Sequence, residues 1–112
     1  MQVDKSLIKG STTMLVLSLL NTTEMYGYQM TKELELRSDN TFTLKEGTLY
    51  PILHFLESEG MIESYWEKTK STRKRKYYTI TKAGKKYLEK KQKEWKYYID
   101  KVNKVIGGPC IE

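Results

Sequence analysis

The chain has 112 residues, with 20 basic and 14 acidic side chains, a net charge of +6, one histidine and one cysteine. That length suits one domain burying about 65% of its unfolded surface, and a single cysteine, Cys110, excludes an intrachain disulfide. The longest apolar run, residues 14–20, is interrupted by Ser18 and far too short to cross a bilayer, and Met1-Gln2-Val3-Asp4-Lys5 lacks a secretory pattern. The expected setting is therefore a reducing cytoplasm.

In chain order, Leu7, Ile8, Met14, Leu15, Val16, Leu17, Leu19 and Leu20 predict a first helix that is apolar almost all round. Such a helix must be covered on more than one side, in a domain this small by a second subunit. A second helix is expected over 27–37 with Met30, Leu34 and Leu36 inward, ended by the turn Ser38-Asp39-Asn40. Thr43 and Glu46 have capping-box spacing, which starts a third helix at Leu44. Leu49, Ile52, Leu53 and Leu56 form its buried stripe, Gly60 caps it, and Pro51 predicts a slight kink.

Residues 62–66 and 76–80 read as paired strands, rich in β-branched and aromatic side chains. The loop between them holds Lys68, Lys70, Arg73, Lys74 and Arg75, with Lys76 opening the second strand. Thr81 caps a last helix over 82–106, stopped by Gly107-Gly108-Pro109 and about 38 Å long. The expected organisation is a winged-helix domain over 1–81, a long C-terminal helix over 82–106 and a tail over 107–112.

Charge is segregated along this plan. Residues 1–67 carry 5 basic and 10 acidic side chains, whereas 68–104 carry 15 basic and 3 acidic. A field built on one surface suggests a polyanionic partner, and a ribbon tip does not need six cations to stay soluble. An amphipathic helix beside a cationic ribbon is the layout of a winged helix-turn-helix reader of double-stranded DNA. The fold class is then mainly α with a small β-hairpin wing.

The motif Glu46-Gly47-Thr48-Leu49-Tyr50-Pro51, followed by Leu56-Glu57-Ser58-Glu59-Gly60-Met61-Ile62, resembles the signature of the PadR family of bacterial transcriptional regulators. Tyr26-Gly27-Tyr28-Gln29-Met30 and Arg75-Lys76-Tyr77-Tyr78 fit the same pattern. Two departures stand out: Phe55 takes the place of a basic residue in the helix, and Ser71-Thr72 replaces the Gly or Pro of the wing tip. The resemblance implies a DNA-binding repressor.

Lys45, Thr48, Tyr50 and His54 lie off the apolar stripe of the third helix and are the candidate base and phosphate contacts. The purely structural alternative packs Tyr50 on the wing and leaves His54 an ordinary surface imidazole. Arg73, Lys74, Arg75 and Lys76 supply the wing contacts. Lys9, Ser11 and Tyr28, near helix starts, are weaker phosphate candidates.

On the last helix, Leu88, Gln92, Trp95, Ile99, Val102 and Ile106 alternate steps of four and three, a heptad seam that argues for a homodimer. Met14 and Leu15 of the first helix join the candidate dimerisation surface. Trp95 and Tyr98 would wall a slot for a small aromatic or phenolic effector between subunits, whereas the alternative leaves Trp95 as packing only.

Catalysis is not expected. There is no phosphate-cradling glycine motif, one His and one Cys cannot hold zinc, and nothing beside Ser58 and His54 supplies an oxyanion hole, so catalytic residues, metal and cofactors are all none. The rival from another class is a basic interaction module, whose C-terminal helix lies on an anionic membrane or docks into a partner protein. The wing cations favour DNA and no membrane, because a surface helix does not need them.

Overall fold

A computed structural model describes residues 1–67 and 74–108. The Asp4 carboxylate accepts from the Ser6 amide at 2.9 Å and opens a short helix, Lys5–Lys9 (α1). The single first helix expected over 7–20 is in fact two. Thr12–Thr22 (α2) follows after a break at Gly10 and Ser11. The Ser11 and Thr12 hydroxyls both donate to the Ile8 carbonyl, at 3.0 and 3.1 Å, and so compete with the amides that would have continued the helix. Behind the break, α2 buries Val16, Leu17, Leu19 and Leu20.

Met25–Tyr26 (β1) was not visible as a strand and leads directly into Gly27–Arg37 (α3). Met30 and Leu34, four apart, face the core, but Leu36 is 73% exposed, correcting its inward assignment. Two residues beyond Leu34 lies off the stripe that i and i+4 share. The turn that follows puts Asp39 and Asn40 at positive φ, the residue types that tolerate it best.

The third long helix, Glu46–Ser58 (α4), starts two residues later than the capping box implied, with Lys45 as N-cap. Leu44 is left outside the helix, and the N-cap Lys45 has extended backbone. The Leu44 side chain is buried, and its carbonyl accepts from the Thr31 hydroxyl at 3.1 Å, so burial overrides the local cap signal. The helix runs through Pro51 without interruption. It ends in a Schellman motif: the Met61 amide donates to Leu56 and the Gly60 amide to Glu57, with Gly60 at φ +74°.

Ile62–Trp66 (β2) and Lys76–Ile80 (β3) pair antiparallel, and β1 adds to the far edge of β3, giving the order β1-β3-β2. Tyr26, Tyr77 and Tyr65 stand opposite one another across the three strands. Tyr78, one residue on, points into the core with Ile62, Leu49, Leu53 and Leu56. The wing tip, including Lys68, Lys70, Ser71, Thr72 and Arg73, lies outside the described residues, as do Pro109, Cys110 and the end of the tail.

Lys82–Ile106 (α5) closes the chain and spans the expected range, with Gly107 at φ +71° ending it. Thr81, the sole residue between β3 and α5, is a fastening point. Its hydroxyl accepts from the Gly84 amide at 3.1 Å and donates to the Gly60 carbonyl at 2.7 Å, while its amide donates to Met61 at 3.0 Å. Gly84 is buried so closely that an added Cβ would sit 2.1 Å from the Met61 carbonyl oxygen. Leu88 is 2% exposed and belongs to the core of its own domain, which removes it from the candidate dimer seam.

Candidate nucleic-acid interface

With Leu49, Leu53 and Leu56 turned inward, the opposite side of α4 has no packing duty. Helical spacing sorts the exposed residues. Gly47, Pro51 and Ser58 form the outermost line, Thr48 and Phe55 lie on one flank, and Tyr50 and His54 on the other. Phe55 is 52% exposed. Sequence reasoning puts Phe55 where a basic contact residue is expected but names neither it nor Gly47 and Pro51 among the contact candidates, because it looks for polar side chains. Only the burial of the 49-53-56 line identifies their side as the free one.

Tyr50 is held firmly. Its ring lies on Gly27 at the start of α3, where an added Cβ would come within 2.7 Å of the phenolic oxygen. Its other neighbour is the His54 ring, 6.5 Å away between centroids. Tyr50 therefore packs on the start of α3 and keeps 37% exposure at the edge of the outward face. Lys45 is exposed at the N-cap and makes no ion pair among the described residues.

The wing cations diverge as neighbouring strand residues must. Arg75 stacks over the Tyr26 ring at 4.7 Å, on the sheet face away from the core. There Tyr26, Tyr77 and Tyr65 form a continuous aromatic rank, with ring centroids 5.5 and 5.7 Å apart. Tyr28 extends it, 6.5 Å from Tyr26, and Lys32 sits 5.4 Å over Tyr28. Lys76 points to the opposite face, against Trp66 at 5.9 Å and Tyr78 at 5.7 Å. Lys74 is exposed at the edge of the described ribbon, and Arg73 lies outside the described residues. The cations thus form two grips, one on each side of the ribbon.

Two phenols along this sheet are perturbed. A hydrogen bond to Glu24 holds the Tyr65 hydroxyl protonated and pushes its pKa to about 12. Burial, then the Glu57 carboxylate, pushes Tyr78 upward as well. Glu57 is itself tied to β2 by a hydrogen bond from Ser64, which fastens the end of α4 to the sheet.

The weaker candidates separate. Lys9 is exposed in the last turn of α1, and Tyr28 is exposed at the start of α3. Ser11 is buried and its hydroxyl is committed to the Ile8 carbonyl, which corrects its assignment as a phosphate contact.

At the other end of the molecule, Trp95 and Tyr98, 6.3 Å apart, line a groove of about 330 Å³ together with Leu7, Gly10, Met14, Lys91 and Glu94. The groove lies between α5 and the α1–α2 corner of one chain. Leu15 is half-buried against the core. Ile99 and Val102 are half-buried, while Ile106, Val105, Tyr97 and Leu7 are all at least 68% exposed. No helix among the described residues is long and apolar enough to cross a membrane.

Comparison with known proteins bears on both surfaces. The family model described as the transcriptional regulator PadR-like family matches residues 16–90. An uncharacterized protein of Lysinibacillus sphaericus is 39% identical over 93 residues, 83% of this chain and 85% of that protein. A PadR family transcription regulator from Clostridium difficile superposes with a TM-score of 0.73 at 39% identity, covering 88% of this chain and 100% of that one. A transcriptional regulator from Clostridium thermocellum gives 0.79 at 36% identity, with 92% and 96% covered.

Proposed function

Since the chain belongs to the PadR-like family of transcriptional regulators, and so is a regulator and not an enzyme, we propose that it represses transcription as a homodimer bound to an inverted-repeat operator. The observation that carries this reading is the free outward face of α4 in a domain whose ribbon presents cations on both of its faces, Arg75 on one and Lys76 on the other. A helix can enter the major groove while the ribbon holds flanking phosphates. Thr48, Tyr50, His54 and Lys45 then face base edges and phosphates. Lys74, Arg75, Lys76 and Arg73 hold the backbone, with Tyr28 and Lys9 as outer contacts.

The second copy covers what one chain leaves bare: Leu7, Trp95, Ile106 and the half-buried Ile99 and Val102, with Met14 at the margin. Two readers joined this way reach successive major grooves about 34 Å apart. A small aromatic effector seated on Trp95 and Tyr98 would lie between α5 and the α1–α2 corner. It relieves repression by favouring a different placement of α5, to which it must bind with different affinity.

The test combines sedimentation with DNA titration. Duplexes selected from the source genome by the purified protein should contain inverted repeats and bind a dimer. Affinity should fall with salt at a log–log slope of roughly −5 or steeper if six phosphates are neutralised. Arg75→Ala should weaken all duplexes alike, and Thr48→Ala mainly the selected one. Single subunits at micromolar concentration with no palindrome recovered would refute the reading. Cosedimentation with anionic vesicles in preference to duplex would favour the membrane-surface alternative. For the effector, planar cationic dyes and phenolic acids should quench Trp95 emission saturably in a Trp66→Phe background, and Tyr98→Ala in that background should weaken the binding.

A further inference from the structure

The outward side of α4 is unusual in what it lacks. Across Glu46–Ser58 there is no Arg, Lys, Asn or Gln, the side chains that make paired hydrogen bonds to guanine or adenine edges. What that side offers is the half-exposed Phe55 ring, the Pro51 ring and the methyl of Thr48, which shares a flank with Phe55. The core does not use Phe55, since the 49-53-56 line fills the interior without it. In the major groove the one apolar group on any base pair is the thymine C5-methyl.

We propose that this helix selects its site through thymine methyls, with Phe55 as the specificity-determining residue and Pro51 and Thr48 bordering the contact. The inference rests on α4 being the major-groove reader, and adds which chemical feature of the groove it recognises. Tyr50, pinned against Gly27, and His54 lie on the other flank and are left to phosphates or hydrogen-bonding base edges.

Replacing thymine by deoxyuridine removes the methyl and leaves base pairing intact, so it isolates the contact. Full-length protein is titrated against a duplex selected from a random pool and against the same duplex with deoxyuridine at the thymines of each half-site. Removing one buried methyl corresponds to about fourfold in affinity, hence roughly fifteenfold for one such thymine per half-site. Wild type should show that loss, Phe55→Ala should bind both duplexes equally, and Phe55→Leu should keep part of the discrimination. Phe55 is surface-exposed, so these variants leave the core intact. Equal binding of both duplexes by wild type would overturn the inference while leaving DNA recognition standing. So would full discrimination retained by Phe55→Ala. Failure of wild type to bind any duplex would overturn both.

Discussion

Two glycines in the first turns of two helices offer a controlled comparison. Gly47 is the second residue of α4, with nothing within 4 Å of a Cβ built there. Gly84 is the third residue of α5, and its Cβ would meet the Met61 carbonyl oxygen at 2.1 Å, its carbon at 3.0 Å and the Ile80 side chain at 2.8 Å. Intrinsic propensity favours alanine over glycine in a helix by up to about 1 kcal/mol at both sites. At Gly84 the obstacle is backbone, which cannot rotate away, and forced overpacking costs about 1–3 kcal/mol. Moving α5 also stretches the Thr81 cap on the Gly84 amide, worth about 1 kcal/mol. Gly84→Ala should therefore destabilise by roughly 1–3 kcal/mol net, and Gly47→Ala should be neutral or stabilising by up to about 1 kcal/mol. Urea unfolding followed by circular dichroism, at one fixed protein concentration because the proposed dimer would shift the midpoint, separates them. A Gly84→Ala midpoint equal to or above wild type would refute the claim that α5 is pressed onto the Gly60–Met61 turn.

Thr81→Val removes both the helix cap and the hydrogen bond to Gly60, and should cost about 1–2 kcal/mol in the same assay, against little for the exposed Thr23→Val. Gly27→Ala should displace the Tyr50 ring and lower stability by about 1 kcal/mol, an effect that disappears in a Tyr50→Ala background if the contact is the cause. On the alkaline side, Tyr65 has a folded pKa raised to about 12 by Glu24, so the stability it contributes is complete below the ordinary value of 10 and is lost as pH rises through 12. Glu24→Gln should bring this phenol's titration back toward 10, which ultraviolet difference spectroscopy against a Tyr65→Phe reference would detect.

Most of the element boundaries were legible because the signals were strong and local. Residues 27–37, 62–66, 76–80 and 82–106 combine clear periodicity with clean stops, and the structure keeps them unchanged. The break at Gly10–Ser11 and the outward Leu36 are local effects, but three other failures share a cause, in that each depended on an interaction between distant segments. Thr43 and Glu46 had the spacing of a cap, but Leu44 was needed in the core, where Thr31 from α3 also holds its carbonyl. Met25–Tyr26 is only two residues long and becomes a strand solely because β3 offers a free edge. Leu88 fits a heptad, yet the domain's own core claims it. The site was half legible for the same reason. Polar residues of α4 announced themselves as contacts, whereas Phe55, noted only as standing in place of a basic residue, and Pro51 joined them once the 49-53-56 line was seen to fill the interior.

The fastening at Thr81 decides how the two ends of this molecule can act on each other. β3 passes into α5 through one residue, and that residue is hydrogen-bonded to the turn that ends α4. A flexible tether there would let two DNA-binding units find their half-sites independently, and nothing bound along α5 would alter their spacing. A stiff joint makes α5 a lever about 38 Å long. If the proposed effector rotates α5 by a few degrees near Trp95, the stiff joint would pass that rotation to α4 as a change in where its outward face points. The close approach of Gly84 to Met61 strengthens this, since packed interfaces shift between discrete arrangements instead of deforming smoothly. Gly84 thus serves tightness and not flexibility, and if the proposed effector acts through α5, loosening the joint should weaken its effect before it weakens DNA binding itself.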